Sequence, residues 1–467
     1  MLMIIAYTSQ NKYVLALFIQ RVYVIILTVL NQERVIKMSL FIGSMKLRIP
    51  GRKELTDHKD IIELKDIKLL YIPLINGGST TFDVLVKKGD KVKIGSLLAK
   101  RNDTMEVPLF SSVSGVVKEI NPRIHASGRE VDHIVIENDF KYEMNAPLKP
   151  LDVNTASREE LVAFTKQAGI VGCGGAGFPT YIKYQSANNV DAILINGVEC
   201  EPYITADYAM MNEKLEFLAI GVQAMIKMAG AKKAVIAIKK TKAELIAKVE
   251  EAIADYREIE LVAVPDVYPM GWERTVVYQV FQKRYDRLPG EVGIIVNNST
   301  TAIQLGLALS TGMPIIEKII TVSGDESITP ANVKVPVGTP VEFIINALGG
   351  YHAEDVLLIA GGPMMGKAQE SEDFVVHAYL NSITVLKNKD EKEVACLRCG
   401  RCSESCPAGL QPVRINQFVK TEDIDTLNKL ACNRCIECGL CTYVCPSKLL
   451  VTEGIRKAKR LLATQKS

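Results

Sequence analysis

Between residues 396 and 445 the chain uses one cysteine spacing twice: Cys396-x2-Cys399-x2-Cys402-x3-Cys406-Pro407, then Cys435-x2-Cys438-x2-Cys441-x3-Cys445-Pro446. Three thiolates two residues apart can wrap one face of an iron–sulfur cubane. The fourth, three residues on and followed by a helix-breaking proline, points away to a second cubane. The spacing therefore predicts crossed pairing on two [4Fe-4S] clusters. Cys396, Cys399, Cys402 and Cys445 hold the first, and Cys406, Cys435, Cys438 and Cys441 hold the second. Structural zinc takes four ligands in pairs, usually with a histidine nearby, and no histidine lies in this window. The second run begins 39 residues after the first, which leaves room for a helical insertion over 411–430. Cys432 is read as a spare thiol beside the second run.

Nine of the eleven cysteines fall in that window, and Cys173 and Cys200 stand alone. A secreted disulfide protein spreads paired cysteines over a short chain, so this crowding indicates metal ligation in a reducing, cytoplasmic compartment. The formal net charge of +3, from 56 basic and 53 acidic residues, is too even to indicate nucleic acid as a partner. Residues 13–30 are strongly apolar, but Gln20 and Arg21 interrupt them, and a central charge in a spanning helix is expensive. We read 1–45 as a non-native or leader extension, with Met38 and Met45 as alternative starts.

The rest divides by pattern into a multidomain α/β chain. Residues 46–145 carry short strands around glycine turns, expected as a barrel-sandwich β domain. Residues 146–315 alternate apolar strands and helices, which implies a mostly parallel sheet. Ser157 and Glu160 form a capping box for a helix over 158–168; further helices are expected over 213–229 and 242–256 and from Thr301. Residues 316–388 return to short strands, expected as a small ubiquitin-like module. The cluster domain spans 389–450, and 451–467 is read as a tail.

Residues 172–183 read Gly-Cys-Gly-Gly-Ala-Gly-Phe-Pro-Thr-Tyr-Ile-Lys. Such a loop lets backbone approach a phosphate or ring closely, and successive free N–H groups can cradle an anion. Lys183 is expected to add charge there. The pattern is not GxGxxG followed by an acid at the dinucleotide spacing, and a tight turn between helix and strand is the plain alternative.

This loop resembles the flavin-binding loop of two families: the NADH-binding flavoprotein subunit of respiratory complex I, and the RnfC subunit of the Rnf electron-transport complex. Asn196-Gly197-Val198-Glu199-Cys200-Glu201-Pro202, the Gly361–Gly366 segment and the tandem ferredoxin domain resemble the latter, in the same order over roughly 46–450. The resemblance implies FMN and NADH as ligands. It assigns Gly174, Gly175, Gly177, Phe178, Thr180 and Lys183 to FMN or nucleotide, places Glu199 and Glu201 in the same pocket, and gives Asn196, Asn297 and Asn298 the polar groups of the flavin. It also implies an SLBB-type β-grasp module over 316–388 and partnership with Rnf membrane subunits or other electron-transfer proteins, peripheral on the inner face of the cell membrane. Three places depart from that family. Trp272 stands for a glycine of its Tyr-Pro-x-Gly-Gly-Glu segment, Asn298-Ser299-Thr300-Thr301 stands for its Asn-Val-Gly-Thr turn, and Cys173 enters the glycine loop. A related soluble branch serves D-proline reductase, so Cys173 is also weighed as a redox thiol with a lowered pKa, which would make the chain a soluble donor to such a reductase acceptor.

Overall fold

The computed structural model describes residues 47–389 and 391–465. The extension over 1–45 lies outside the described residues. The chain forms two compact units, one over 48–390 and one that contains 391–467.

The larger unit begins with two facing β-sheets. One has the order Leu69–Pro73, Glu130–Asn138, Gly115–Ile124, Lys91–Val92, and the other joins Phe82–Val84, Leu97–Arg101 and Val107–Phe110. Alternate residues point inward, so Leu70, Ile72, Leu98, Ile134 and Ile136 are buried at 2% exposure or less. This is the expected barrel sandwich.

Next comes a parallel sheet in the order Ile259–Val264, Lys233–Lys239, Ala192–Gly197, Ile294–Asn298. Its central strands are continuous apolar runs because helices cover them. The capping box opens the helix Arg158–Gln167, with Ser157 and Glu160 bonded reciprocally. The helix expected over 213–229 runs over Glu216–Ala229, and a separate helix, Ala206–Glu213, precedes it across Lys214. The helices Glu216–Ala229 and Ser299–Thr311 cross with their backbones nearly touching. A Cβ on Gly221 would stand 1.8 Å from the Ala302 carbonyl oxygen, and one on Gly306 2.0 Å from that of Phe217. Gly221→Val is therefore expected to cost about 3 kcal/mol by overpacking, read as a lowered urea midpoint.

Residues 317–387 build a mixed sheet. Its order is Ile62–Glu63, Ala331–Pro336, Glu317–Ser323, Ser382–Lys387, Val356–Ala360, Lys367–Gln369. Glu317–Ser323 and Ser382–Lys387 run parallel, with an antiparallel neighbour on each side. The helix Val341–Ala347 buries Val341, Ile344 and Ile345 in the core of this module.

In the smaller unit the insertion between the cysteine runs is two helices, Pro412–Val419 and Ile424–Lys429; Asp423 caps the second by accepting from the Thr426 N–H at 2.9 Å. The expected tail is corrected. Val451–Thr464 is a helix whose Val451, Ile455, Ala458 and Leu462 form one buried stripe, a helical period of apolar residues that demands a partner surface. Among the described residues no helix is long and apolar enough to cross a membrane.

Candidate functional site

In the parallel sheet, successive strands run outward from Ala192–Gly197 to one side, and Ile294–Asn298 lies on the other. Ligands of open α/β sheets bind beyond the carboxyl ends of the strands at such a reversal. The sequence-assigned residues meet there, because Asn196 ends one of the two strands and Asn297 and Asn298 end the other.

The glycine loop folds over the same point. The Cys173 N–H donates to Thr301 Oγ1 at 2.9 Å, and a Cβ on Gly174 would stand 2.7 Å from Asn298 Nδ2. Gly174, Gly175 and Ala176 are exposed, and their N–H groups have no acceptor among the described residues. A Cβ on Gly175 meets nothing within 4 Å. Three successive free N–H groups on an open face make an anion-binding nest, which fits the phosphate of a flavin mononucleotide. Phe178 is 37% exposed at the end of the loop, and Thr180 is buried beneath it.

Asp207 organises the floor. It accepts from Asn298 Nδ2 at 2.6 Å and from Thr300 Oγ1 at 2.7 Å, while its own N–H donates to Glu199 Oε1 at 2.7 Å. Asn298 Oδ1 also caps the helix Ser299–Thr311. Asn196 Nδ2 donates to the Gly271 carbonyl at 2.8 Å, which holds the Trp272 segment beside the strand end. Glu201 Oε1 accepts from the N–H groups of Met364 and Met365 at 2.6 and 2.9 Å, and a Cβ on Gly362 would collide with its side chain. The glycines of the Gly361–Gly366 segment thus let its backbone close on this carboxylate. Burial raises Glu199 and Glu201 above the usual carboxylate range and lowers Lys53. Lys53 Nζ donates to the carbonyls of Glu199, Glu201 and Ile204 and pins this loop.

Three sequence expectations change. Lys183 does not offer its charge to the loop: Nζ donates to the Val296 carbonyl at 2.6 Å, and burial lowers its pKa. Asn297 is buried below the site, donating to Tyr184 Oη at 2.6 Å. Cys173 is 1% exposed, and burial pushes its thiol up rather than down. The lowered pKa expected of this thiol is therefore not what its burial produces.

Two other modules brace the loop from behind, and the motifs missed both. Asn76 Nδ2 donates to the Gly177 carbonyl at 3.0 Å, and Arg101 Nη1 donates to Asn76 Oδ1 at 3.2 Å. Arg101 Nε in turn donates to Asp103 at 2.9 Å, in the turn between Leu97–Arg101 and Val107–Phe110. From the mixed-sheet module, the Tyr379 ring packs on Gly177 and stacks 3.9 Å, centroid to centroid, from His377, which lies 4.7 Å from His125. Burial, with the charges of His133, Arg129 and Lys367, brings His125 down to about 4; burial, with His125 and Lys318, holds His377 well below 6.5. Both are neutral when folded, so the unfolded chain takes up protons first as pH falls below about 6.5, and stability is lost toward pH 4. His125 alone should cost about 2 kcal/mol at pH 5, seen as a falling urea midpoint that falls less steeply in His125→Leu.

In the smaller unit the eight run cysteines divide between two cavities. One is lined by Cys396, Cys399, Cys402 and Cys445. The other is lined by Cys406, Cys435, Cys438 and Cys441. The geometry repeats: Arg398 and Glu437 take positive φ at matching positions, as do Gly400 and Gly439, and backbone N–H groups approach Cys396 and Cys435 Sγ at 3.4 and 3.3 Å. Cys432 is fully buried and lines neither cavity.

A phosphate nest at a sheet reversal and two crossed cysteine quartets on one chain define a flavo-iron–sulfur electron-transfer protein. Residues 44–141 match the RnfC barrel sandwich hybrid domain, 165–306 the Nuo51 FMN-binding domain and 383–450 the 4Fe-4S dicluster domain. The RnfC-type subunit of the Na(+)-translocating ferredoxin:NAD(+) oxidoreductase complex of Acetobacterium woodii is 32% identical over 425 residues, 89% of this chain and 96% of that protein. Its counterpart in the proton-translocating complex of Clostridium ljungdahlii is 35% identical over 352 residues, 73% of this chain and 77% of its own. The counterpart in the ion-translocating oxidoreductase complex of Rhodobacter capsulatus is 33% identical over 392 residues, 81% of this chain and 75% of its own. The chain belongs to the RnfC family of Rnf-type ion-translocating oxidoreductase complexes.

Proposed function

We propose that the chain passes electrons between NADH, reacting at FMN, and two [4Fe-4S] clusters, as the RnfC component of an Rnf-type complex. The observation that carries this reading is the open nest of Gly174, Gly175 and Ala176 at the sheet reversal, on the same chain as the two cysteine quartets. FMN supplies the conversion between a two-electron hydride donor and one-electron acceptors. The nest receives the phosphate. Asn298, held by Asp207, and Asn196, held on Gly271, present polar groups from the two strand ends. Glu199 and Glu201 act by fixing the loop and the Gly361–Gly366 segment rather than by meeting the ligand with free charge.

Cys396, Cys399, Cys402 and Cys445 are the proposed ligands of one cluster, and Cys406, Cys435, Cys438 and Cys441 of the other. The sheet over 317–387 supports a β-grasp, SLBB-like module, since antiparallel neighbours flank a central parallel pair. The partners proposed are the membrane subunits of the complex, with the chain peripheral on the cytoplasmic face. Anaerobically reconstituted protein is expected to retain about one FMN and about eight iron per chain. Protein that keeps its iron but no FMN would overturn the flavin half of the proposal.

A further inference from the structure

The two halves of the cluster domain are an internal repeat, and they differ in what covers them. At one position of the repeat stand Arg398 and Glu437; three residues on stand Arg401 and Leu440. In the second half the position is closed. Glu437 accepts from Arg456 Nε at 3.0 Å and from Lys459 Nζ, both on the helix Val451–Thr464, and Leu440 is 2% exposed. The matching helix of the first half, Pro412–Val419, is shorter. Arg398 and Arg401 are exposed and have no ion-pair partner among the described residues.

The cysteines follow the same division. Cys396 and Cys399 are exposed, whereas Cys406, Cys438 and Cys441 are buried. Around the exposed pair, Leu397, Leu450 and Val394 stand 66%, 58% and 56% exposed. They are neighbours, because the Val394 N–H donates to the Ser447 carbonyl at 3.1 Å and the Leu450 N–H to Glu393 Oε1 at 3.1 Å. An apolar centre with two unpaired guanidinium groups on its rim, beside the single carboxylate of Glu393, is the surface of a transient protein contact, and here it lies over one cluster only.

Building on the cluster assignment above, we propose that the face formed by Val394, Leu397, Arg398, Arg401 and Leu450 is the docking surface for an acidic protein electron carrier, and that electrons cross between chains at the cluster of Cys396, Cys399, Cys402 and Cys445. The second cluster, shielded by Val451–Thr464, is the internal one. The charge of the rim selects the partner: two unpaired guanidinium groups attract a carrier with carboxylates around its own redox centre and repel a basic one. The exchange moves one electron, lost by one centre and gained by the other, with no proton or bond change.

The test uses the full chain with both clusters loaded, reduced anaerobically with dithionite, so that neither FMN nor NADH enters. Its oxidation by an acidic bacterial ferredoxin and, separately, by basic cytochrome c is followed by stopped flow. The expected rate with ferredoxin falls about tenfold between about 20 and 300 mM salt, whereas the cytochrome c rate rises. In Arg398→Glu/Arg401→Glu, checked for unchanged iron content and cluster EPR signals, the ferredoxin rate at low salt is about tenfold lower and the two salt dependences exchange sign. If the variant loses iron, the wild-type salt dependences alone decide. A ferredoxin rate that rises with salt, or a loaded variant that behaves as wild type, overturns the proposal. Failure of the cluster assignment itself would show separately, as absent iron in the wild-type protein.

Discussion

Cys445→Ser is expected to remove the cluster that depends on Cys396, Cys399 and Cys402, although Cys445 belongs to the other run. Iron should fall from about eight to about four per chain, and the surviving EPR signal should be the one that survives in Cys402→Ser. Cys406→Ser should behave like Cys438→Ser. The expectation follows from the two cavities, each of which gathers three cysteines of one run and the last cysteine of the other. If each run held its own cluster, Cys445→Ser would instead match Cys441→Ser, and paired EPR spectra of the five variants separate the two arrangements. The internal cluster should be the more damaging loss for folding. Its ligands are largely buried and Thr452 and Ile455 of the packed C-terminal helix line its cavity, so its removal empties the centre of a small domain.

Gly177→Val is expected to weaken FMN retention by about tenfold to a hundredfold, each tenfold being about 1.4 kcal/mol. Gly177 has φ of +66°, which a β-branched residue resists, and its Cβ would stand 2.6 Å from the Tyr379 ring. The loop must move off either the tyrosine or Asn76, and its three free N–H groups move with it. Gly175→Ala serves as the contrast, because its Cβ meets nothing within 4 Å. Equilibrium dialysis of apoprotein against FMN measures both. Equal losses in the two variants would mean that the glycines matter through the loop's flexibility rather than its place.

These two results concern motifs that were legible in the residues alone, and the reason is local. The cysteine spacing encodes which thiol leaves its own run, and the Gly172–Phe178 pattern encodes a loop that only small residues allow. The capping box of Ser157 and Glu160 was legible for the same reason. What stayed hidden depends on distant partners. Lys53 reaches carbonyls 146 residues or more away in sequence, and nothing in its neighbours marks it. Asn76 and Tyr379 come from two other modules to meet one glycine. Asp207 sits in a helix that fell just before the expected start at 213. Lys183 looked like a phosphate ligand by type, but its ammonium was already engaged by the end of a strand. Cys173 beside glycines suggested an activated thiol, yet the Thr301 side of the loop encloses it and burial governs. The C-terminal stripe of Val451, Ile455, Ala458 and Leu462 was readable by its period, and its position near the chain's end obscured it.

The most direct test of the central claim is a stoichiometric anaerobic titration of the loaded protein with NADH, followed by absorbance and EPR together. One chain should take up about four electrons, two at FMN and one at each cluster, with the flavin and cluster bands bleaching and both cluster EPR signals appearing. Bleaching of the flavin alone, with clusters that dithionite reduces and NADH does not, would contradict an electron path joining the two sites on this chain.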